Sequence, residues 1–245
     1  VSVDYWIMER YDPQEACRVH RVNHPYVRVE CIKLGHPDQW RFFKRMVDEW
    51  RRRGYHIHIH GSPPCQALSN ASTRSAEEGM PLVLWYLDLV EKCEPDSWSM
   101  ENVVPVRKKL PEGVPSVTLN SADFGVPQTR RRCYAGEGWA ACPSHTKEEW
   151  VSVIEALPEL ADELRFKNPE RLVLPIQRKV GILKVNGRIL QPIWREIDEP
   201  AQTITGRAES LGKIATDKPV KIRSLTLPET LVLQGFNPDY DLSAA

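Results

Sequence analysis

The stretch YHIHIHGSPPCQALSN, residues 55–70, joins a strand pattern to a stiff loop that carries a thiol. Histidine and isoleucine alternate up to His60, and this alternation predicts a β-strand with one polar face and one apolar face. Two prolines then restrict the backbone directly before Cys65. A thiol framed in this way is typical of a nucleophile that must meet one particular atom, whereas a buried structural cysteine needs no such frame. On this stretch alone, both interpretations of Cys65 stay open.

Strand and helix patterns alternate on both sides of this stretch, from residue 1 to about residue 135. Apolar, β-branched runs predict strands, and runs with apolar residues every three or four positions predict helices. The strands are predicted at 3–9, 27–34, 55–61 and 97–104, and the helices at 13–22, 39–54 and 81–93. This order predicts an α/β fold with a doubly wound, mostly parallel sheet. In such sheets the ligand site lies at the carboxyl ends of strands, where Cys65 and Glu101 fall.

The pattern changes after residue 136. Residues 148–164 predict one helical stretch broken near Pro158, and short strand-like runs separated by turn residues follow it. A last helix is predicted within residues 223–236, with its start near Thr226-Leu227-Pro228. These features indicate a smaller mixed domain beside the α/β domain.

The charge balance limits the functional classes. Lys and Arg together number 33, and so do Asp and Glu, which gives the 245-residue chain a formal charge of zero. A nucleic-acid-binding protein is usually more basic. The positive charge is nevertheless clustered at Arg51-Arg52-Arg53, Arg107-Lys108-Lys109 and Arg130-Arg131-Arg132. Each cluster is either a solvated surface or a contact site for an anionic partner.

The cysteines and histidines predict no metal site. None of the six cysteines forms a CxxC pair, which argues against zinc, and their spacing does not resemble a disulfide framework. We therefore expect reduced thiols and an intracellular protein, in the cytoplasm or, in a eukaryote, the nucleus. Neither a signal peptide nor an apolar run near membrane length is found in the sequence, so no membrane association is expected. His56, His58 and His60 share one strand face, and we expect them to pack beside the sheet.

Two further polar groups are candidates for chemistry. Glu101 lies in the otherwise apolar run MENVV, where a carboxylate is costly unless it is paired or takes part in a reaction. Gln128, Arg130 and Arg132 form a QxRxR pattern, whose alternate residues point to one face of an extended segment. Two guanidiniums and an amide suit a planar, hydrogen-bonding substrate or a carboxylate. The alternatives are a satisfied core acid and an exposed basic edge strand.

Taken together and in this order, three short motifs resemble the signature motifs of the DNA (cytosine-5)-methyltransferases. They are PPCQ at 63–66, ENV at 101–103 and QTRRR at 128–132. Five longer segments also resemble segments of the family and occur in the same order as they do there. They lie at 8–25, 77–95, 120–136, 195–207 and 223–236. The resemblance implies a catalytic methyltransferase domain at 1–136, a target-recognition region at 137–194 and a segment at 195–245 that returns to the catalytic domain.

The resemblance implies an enzyme that moves a methyl group from S-adenosylmethionine to carbon 5 of a cytosine flipped out of double-stranded DNA. Cys65 would attack carbon 6 of the ring, and Glu101 would hydrogen-bond the ring nitrogen and exocyclic amine and promote attack by protonation. Arg132 would bind the carbonyl oxygen of the cytosine. Arg130 would help to hold the glutamate and the cysteine loop. The remaining substrate-side residues would be Gln66, Ser69 and Gln128.

The cofactor residues follow from the same resemblance. Glu9 matches the acid that holds the ribose hydroxyls, and Glu30, Cys31 and Ile32 lie where the family contacts the adenine. Pro64 and Leu82 would line the methionine side. The family usually has an aspartate at the adenine position, whereas this chain offers Glu30 or Cys31 there.

Two family segments are missing from the sequence: the glycine-rich DxFxGxGG loop and the closing GN-(A/S)-V segment. They would lie elsewhere in a longer chain or on a second polypeptide, unless this is a degenerate member of the family. We therefore expect residues 1–245 alone to bind S-adenosylmethionine weakly.

Two functional alternatives stay open beside a DNA methyltransferase, for which restriction–modification is one setting. The short recognition region is typical of the branch that methylates tRNA. The missing loop fits a catalytically silent DNA-binding paralogue, or a subunit that needs a partner chain.

Overall fold

The computed structural model describes residues 3–5, 13–30, 34–64, 80–160, 183–185, 188–190, 199–203, 213–215 and 222–243. The helices are Pro13–Asn23 (α1), Trp40–Arg52 (α2), Met80–Cys93 (α3), Val153–Ala156 (α4) and Leu227–Leu233 (α5). The strands of the first half are Val3–Tyr5 (β1), Arg28–Glu30 (β2), His58–Gly61 (β3), Ser97–Asn102 (β4), Ser116–Asn120 (β5), Gln128–Thr129 (β6) and Arg131–Glu137 (β7). Those of the second half are Leu183–Val185 (β8), Arg188–Leu190 (β9), Ala201–Gln202 (β10), Lys213–Ala215 (β11) and Ile222–Ser224 (β12).

The chain forms two compact units. The first comprises Val1–Thr118, Arg132–Ala141 and Tyr240–Ala245, and the second comprises Leu119–Arg131 and Cys142–Asp239. The domain boundaries drawn from the sequence stay a prediction.

A four-stranded sheet, most of whose residues belong to the first unit, has the order β3-β4-β7-β5. Strands β3 and β4 are parallel, and β7 runs antiparallel to β4. Strands β1 and β2 pair in parallel as a separate two-stranded sheet. The chain is therefore a mixed α/β protein whose first described strand pairs are parallel, while a complete doubly wound sheet stays a prediction.

The apolar face of β3 packs against helices. Ile59 lies beside the core cluster formed by α3, β4 and β7, which includes the fully buried Met100. The Tyr86 hydroxyl of α3 lies 3.0 Å and 2.9 Å from the carbonyl oxygens of Ile59 and Ser99. Burial raises the pKa of Tyr86, so its hydroxyl stays protonated and donates. A Cβ at Gly61 would lie 2.2 Å from the Tyr86 ring, so the last residue of β3 has to be glycine.

Helix α5 begins where the sequence predicts. Thr226 accepts a hydrogen bond from the Glu229 amide at 3.3 Å, and the Glu229 carboxylate accepts one from the Thr226 amide at 2.6 Å. This reciprocal pair is a capping box, which satisfies amides at a helix start. The predicted helix start at Thr226-Leu227-Pro228 is confirmed.

The helix predicted over residues 148–164 is wrong in its first part. Val153–Ala156 forms α4, after a short 3-10 turn at Lys147–Glu149, and the predicted break near Pro158 is confirmed, since helical backbone resumes at residues 159–160. Ser152 caps α4 with an extended backbone (φ −79°, ψ 166°), so the helix cannot continue toward the N-terminus through this residue. Residues 161–164 lie outside the described part of the chain.

Within the described segments, no helix combines the length and apolar character that a membrane crossing requires. Cys93, Cys133 and Cys142 are free thiols.

Candidate active site at the ends of β3 and β4

Glu101 lies near the end of β4 and is held by two side chains. Its Oε1 atom is 3.0 Å from Nε of Arg132 on β7. Its Oε2 atom accepts a hydrogen bond of 2.6 Å from the hydroxyl of Ser62, the residue after β3. The side chains of Glu101 and Arg132 are 20% and 18% exposed, so the pair is partly shielded but reachable. This pairing explains how a carboxylate is accommodated in the apolar run MENVV.

Strand register brings these residues together. Because β3 and β4 are parallel, their carboxyl ends lie at the same edge of the sheet. Strand β7 enters beside that edge, since Glu101 is paired with Tyr134 and Asn102 with Cys133. Arg132, the residue before Cys133, therefore reaches the Glu101 carboxylate. An acid, a guanidinium and a hydroxyl converge where the sequence predicts a ligand site.

Asn102 connects the end of β4 to the proline loop. Its side chain is buried, with a residue exposure of 1%. Its Nδ2 donates to the carbonyl of Pro63 at 3.0 Å, and its Oδ1 accepts from the Val103 amide at 2.9 Å. Pro63 lies two positions before Cys65 in the sequence. Asn102 therefore fixes the backbone from which the cysteine segment departs.

Sequence reasoning assigned no role to Asn102 or Ser62. Asn102 was visible only as the second letter of the ENV motif. Ser62 is two positions after His60, so the strand alternation could have placed its side chain on the same face.

Gln128 and Arg130 lie in the second unit, whereas Arg132 lies in the first. The Ser121 hydroxyl donates to the Gln128 carbonyl at 2.5 Å and accepts from the Arg130 amide at 3.2 Å, which fixes the backbone of the QxR segment. Gln128 is 1% exposed, and its buried Nε2 has no hydrogen-bond partner among the described residues. A buried donor without a partner is costly, so this amide is a candidate for contact with a bound molecule.

Some candidate residues lie outside the described part of the chain: Glu9, Ile32, Cys65, Gln66 and Ser69. Of the cofactor candidates that are described, Glu30 ends β2 and accepts a hydrogen bond of 2.7 Å from Arg28, while Pro64 is exposed. Leu82, half-buried in the first turn of α3, lies against Gly35, where a Cβ would be 3.0 Å from its Cδ2 atom.

The chemical groups of Glu30 and Leu82 suit an adenosyl cofactor. Glu30 supplies a carboxylate that can accept a hydrogen bond from an exocyclic amine. Leu82 supplies apolar surface, next to a glycine (φ +105°) that leaves room no other residue would leave.

Two buried thiols of the first unit, those of Cys93 and Cys133, are poor nucleophiles. Burial raises the pKa of the Cys93 thiol to about 11 and also raises the pKa of the Cys133 thiol. A thiol with a raised pKa gives little thiolate at neutral pH. Both behave as small core residues, and neither is a candidate nucleophile.

A 3-10 turn, Val104–Lys109, follows the site strand β4. It is anchored by the fully buried Val106 and ends in the exposed residues Arg107-Lys108-Lys109. Across the described segments, no carboxylate lies within ion-pair distance of these three side chains. By contrast, Arg53 pairs with Glu49 at 2.5 Å, and Arg51 lies 3.7 Å from Asp48. No described carboxylate therefore compensates the charge of these three residues.

No protein-family model and no curated protein matches the chain. Among solved structures, the Dnmt2 methyltransferase of S. pombe matches with a TM-score of 0.55 and 14% identity, covering 99% of this chain and 81% of that chain. A DNA modification methyltransferase encoded within an E. coli prophage matches with a TM-score of 0.45 and 19% identity, over 64% of this chain. DNMT2 of Spodoptera frugiperda matches with a TM-score of 0.34 and 19% identity, over 55% of this chain.

This chain spans 47% and 41% of the lengths of the latter two structures. The likeness to the S. pombe protein shows that the chain has a methyltransferase-like fold.

Proposed function

We propose that this chain carries the catalytic groups of an S-adenosylmethionine-dependent cytosine-5 methyltransferase that acts on double-stranded DNA. The proposal depends chiefly on the Ser62–Glu101–Arg132 cluster at the carboxyl ends of two parallel strands. The methyltransferase-like fold supports it, as does the Pro63-Pro64 loop that leads into Cys65. A doubly wound sheet over residues 1–136, a recognition region at 137–194 and a return segment at 195–245 belong to the same proposal.

The reaction assigns one task to each group. Cys65 attacks carbon 6 of a flipped cytosine and forms a carbon–sulfur bond, while Glu101 gives its proton to ring nitrogen 3. S-adenosylmethionine, when bound, supplies the methyl group that carbon 5 takes. Loss of the carbon 5 proton to a base then expels the Cys65 thiolate, and the proton on ring nitrogen 3 returns to Glu101, which restores both the ring and the acid. Arg132, held by Glu101, donates to the carbonyl oxygen of the cytosine.

The remaining candidate residues orient the reacting groups. Arg130 holds the glutamate and the cysteine loop, Gln66 and Ser69 order that loop near the DNA, and the buried amide of Gln128 faces the substrate. Such positioning lowers the barrier because the reaction depends on near-attack geometry.

The cofactor would be held by Glu9, Glu30, Ile32, Pro64 and Leu82. Since residues 1–245 contain no DxFxGxGG-like segment, we propose that the glycine-rich loop comes from polypeptide outside these residues, either in a longer chain or in a second chain. That polypeptide belongs in every activity assay.

The uncompensated Arg107-Lys108-Lys109 cluster would contact the phosphate backbone beside the flipped base. Neutralising three phosphates contributes about 2.7 to the slope of log K against log salt concentration. We therefore expect the triple substitution R107Q/K108Q/K109Q to reduce the salt slope of DNA binding by about 2 to 3. Fluorescence anisotropy with one duplex at several salt concentrations measures this slope.

The matched control is R51Q/R52Q/R53Q, which removes the same formal charge at a cluster with carboxylate partners. Its salt slope should stay close to that of the unchanged protein. Equal slopes for the two triple variants would show that only net charge matters and that residues 107–109 form no phosphate site.

Covalent trapping tests the proposed function. The full-length protein, with any partner chain and S-adenosylmethionine, is incubated with duplex DNA that contains 5-fluorocytosine, and in parallel with 5-fluorocytosine-substituted tRNA. Fluorine at carbon 5 blocks the last elimination, so a denaturant-resistant adduct forms and Cys65→Ser abolishes it. An adduct with tRNA alone would show that the substrate is RNA. If neither nucleic acid forms an adduct, the methyltransferase hypothesis is wrong. The alternative of a catalytically silent, DNA-binding protein would then remain.

A further inference from the structure

The hydroxyl of Ser62 contacts the proposed general acid, Glu101, but has no task in the reaction described above. Its Oγ atom donates to Oε2 of Glu101 at 2.6 Å, a short distance that is typical of a hydroxyl bonded to a charged oxygen. Arg132 Nε lies 3.0 Å from the other oxygen, Oε1. The carboxyl group is therefore held at both of its oxygens, from two different strands.

The backbone on both sides of Ser62 is fixed. Gly61 ends β3, which pairs with β4, and the ring of Tyr86 lies where any larger side chain at residue 61 would go. On the other side, the Pro63 carbonyl accepts a hydrogen bond from Asn102 Nδ2 at 3.0 Å. Proline also restricts the residue before it to extended backbone. Ser62 is exposed, yet its hydroxyl starts from a rigid position at the rim of the site.

The two contacts of Glu101 differ in the protonation states that they allow. A guanidinium keeps all its protons, so Oε1 can only accept a hydrogen bond from Arg132. A hydroxyl both donates and accepts, so it can lie beside a carboxylate or beside a carboxylic acid. When Glu101 is protonated, the proton therefore sits on Oε2, beside Ser62 rather than beside Arg132.

We propose that Ser62 is a positioning residue, which fixes the plane of the Glu101 carboxyl group and directs the Oε2 proton at ring nitrogen 3 of the cytosine. With Arg132 alone, the group would be free to rotate about its Cγ–Cδ bond, because the terminal torsion of glutamate has broad energy minima. The second contact, at Oε2, removes that rotation. This inference rests on the proposed function, because it takes Glu101 as the group that protonates the base.

The hydrogen bond from Ser62 also becomes stronger as the proton leaves. The O–H bond at Oε2 breaks while an N–H bond forms at ring nitrogen 3, and Oε2 becomes part of a negatively charged carboxylate. A hydrogen bond to a charged oxygen is about twice as strong as one to a neutral oxygen. Ser62 therefore stabilises the carboxylate that this step produces, and the proton returns to the same oxygen when Cys65 is expelled.

Ser62→Ala removes the hydroxyl and keeps the backbone contacts on both sides. In the full-length enzyme, with any partner chain, we expect it to lower the single-turnover methylation rate by about 10-fold or more, with little change in the affinity for DNA. Ser62→Thr keeps the hydroxyl and should retain most of the rate. The matched control is Ser97→Ala, which removes a hydroxyl from the same face of the sheet. That hydroxyl contacts the exposed His56 and His58, where water can replace it, so the rate should stay unchanged.

A double variant separates positioning through Glu101 from a general effect on the fold. If Ser62 acts through the carboxyl group, Ser62→Ala should change the residual rate of Glu101→Gln by less than about 2-fold, because the effects of interacting residues are not additive. Three results would overturn the inference: a loss that multiplies in the double variant, a Ser62→Ala enzyme as fast as the unchanged one, or a Ser62→Thr enzyme as slow as Ser62→Ala.

The carboxyl carbon of Glu101 reports the contact with Ser62 in the absence of substrate. In protein with isotope-labelled glutamate, the NMR signal of Glu101 is the one that Glu101→Gln removes. Ser62→Ala should move this signal, because loss of the donor changes the shielding of the carboxyl carbon, whereas Ser97→Ala should leave it in place. This result is expected whether or not the protein methylates cytosine.

The NMR result distinguishes failure of this inference from failure of the proposed function. A signal that moves in a protein that methylates no cytosine would show that the contact exists and that the proposed function is wrong. A signal that stays in place in an active methyltransferase would show that Ser62 does not position Glu101.

Discussion

Glu101→Gln is expected to lower the rate of single-turnover methyl transfer by about 10²- to 10⁴-fold while the protein stays folded. Glutamine has nearly the same shape, and its carbonyl oxygen can still accept one of the two hydrogen bonds that Glu101 accepts from Ser62 and Arg132. It cannot carry the proton that the ring nitrogen of cytosine needs when Cys65 attacks. Rapid-quench methylation with labelled S-adenosylmethionine measures the loss, and circular dichroism monitors folding.

The control for this prediction is Glu91→Gln, an exposed acid on α3. It removes the same charge from the first unit and should leave the methylation rate unchanged. A Glu101→Gln protein that retains more than about a tenth of the rate would exclude proton transfer through this side chain.

Arg132 provides a further check of the same pair. Since Arg132 Nε contacts Glu101 directly, the two side chains act as one unit, and substitutions at such contacts are not additive. The double variant Glu101→Gln/Arg132→Gln should therefore be only slightly slower than Glu101→Gln. Losses that multiply would show that the two residues act on separate steps.

The sequence predicts those parts of the fold that depend on local pattern. The alternation in HIHIH predicts β3, and the capping residues of α5 are adjacent in the chain, so both can be recognised without a partner segment. The failure at 148–164 has the same origin. Apolar spacing runs across Ser152, but this serine caps a new helix and so interrupts the helical backbone.

The site was predictable only as separate residues. Glu101 and Arg132 were recognised from motifs, but their contact depends on the antiparallel pairing of β7 with β4. Likewise, the hydrogen bonds that join the histidines of β3 to Ser97 and Ser99 need one specific register, since a shift by one residue would turn the serines to the other face. Register between distant strands is set by packing of the whole unit, which no short motif encodes.

Asn102→Ala is expected to destabilise the first unit and to slow methyl transfer together. The buried side chain donates to the Pro63 carbonyl and accepts from the Val103 amide, so its removal leaves two backbone groups without partners. Each such loss costs about 1–3 kcal/mol in the free energy of unfolding. Because Pro63 leads into Cys65, displacement of this segment by about 1 Å is also expected to lower the methylation rate by about 10²-fold.

Chemical denaturation and single-turnover methylation measure the two effects of Asn102→Ala separately. Asn120→Ala is the matched control, because its buried Oδ1 has no hydrogen-bond partner in the described part of the chain and its loss removes no such bond. Asn102→Asp keeps the acceptor for Val103 but loses the donor to Pro63, so it should slow methylation about as much as alanine does. If Asn102→Asp were as fast as the unchanged enzyme, the contact with Pro63 would not position Cys65, and Asn102 would serve the stability of β4 alone.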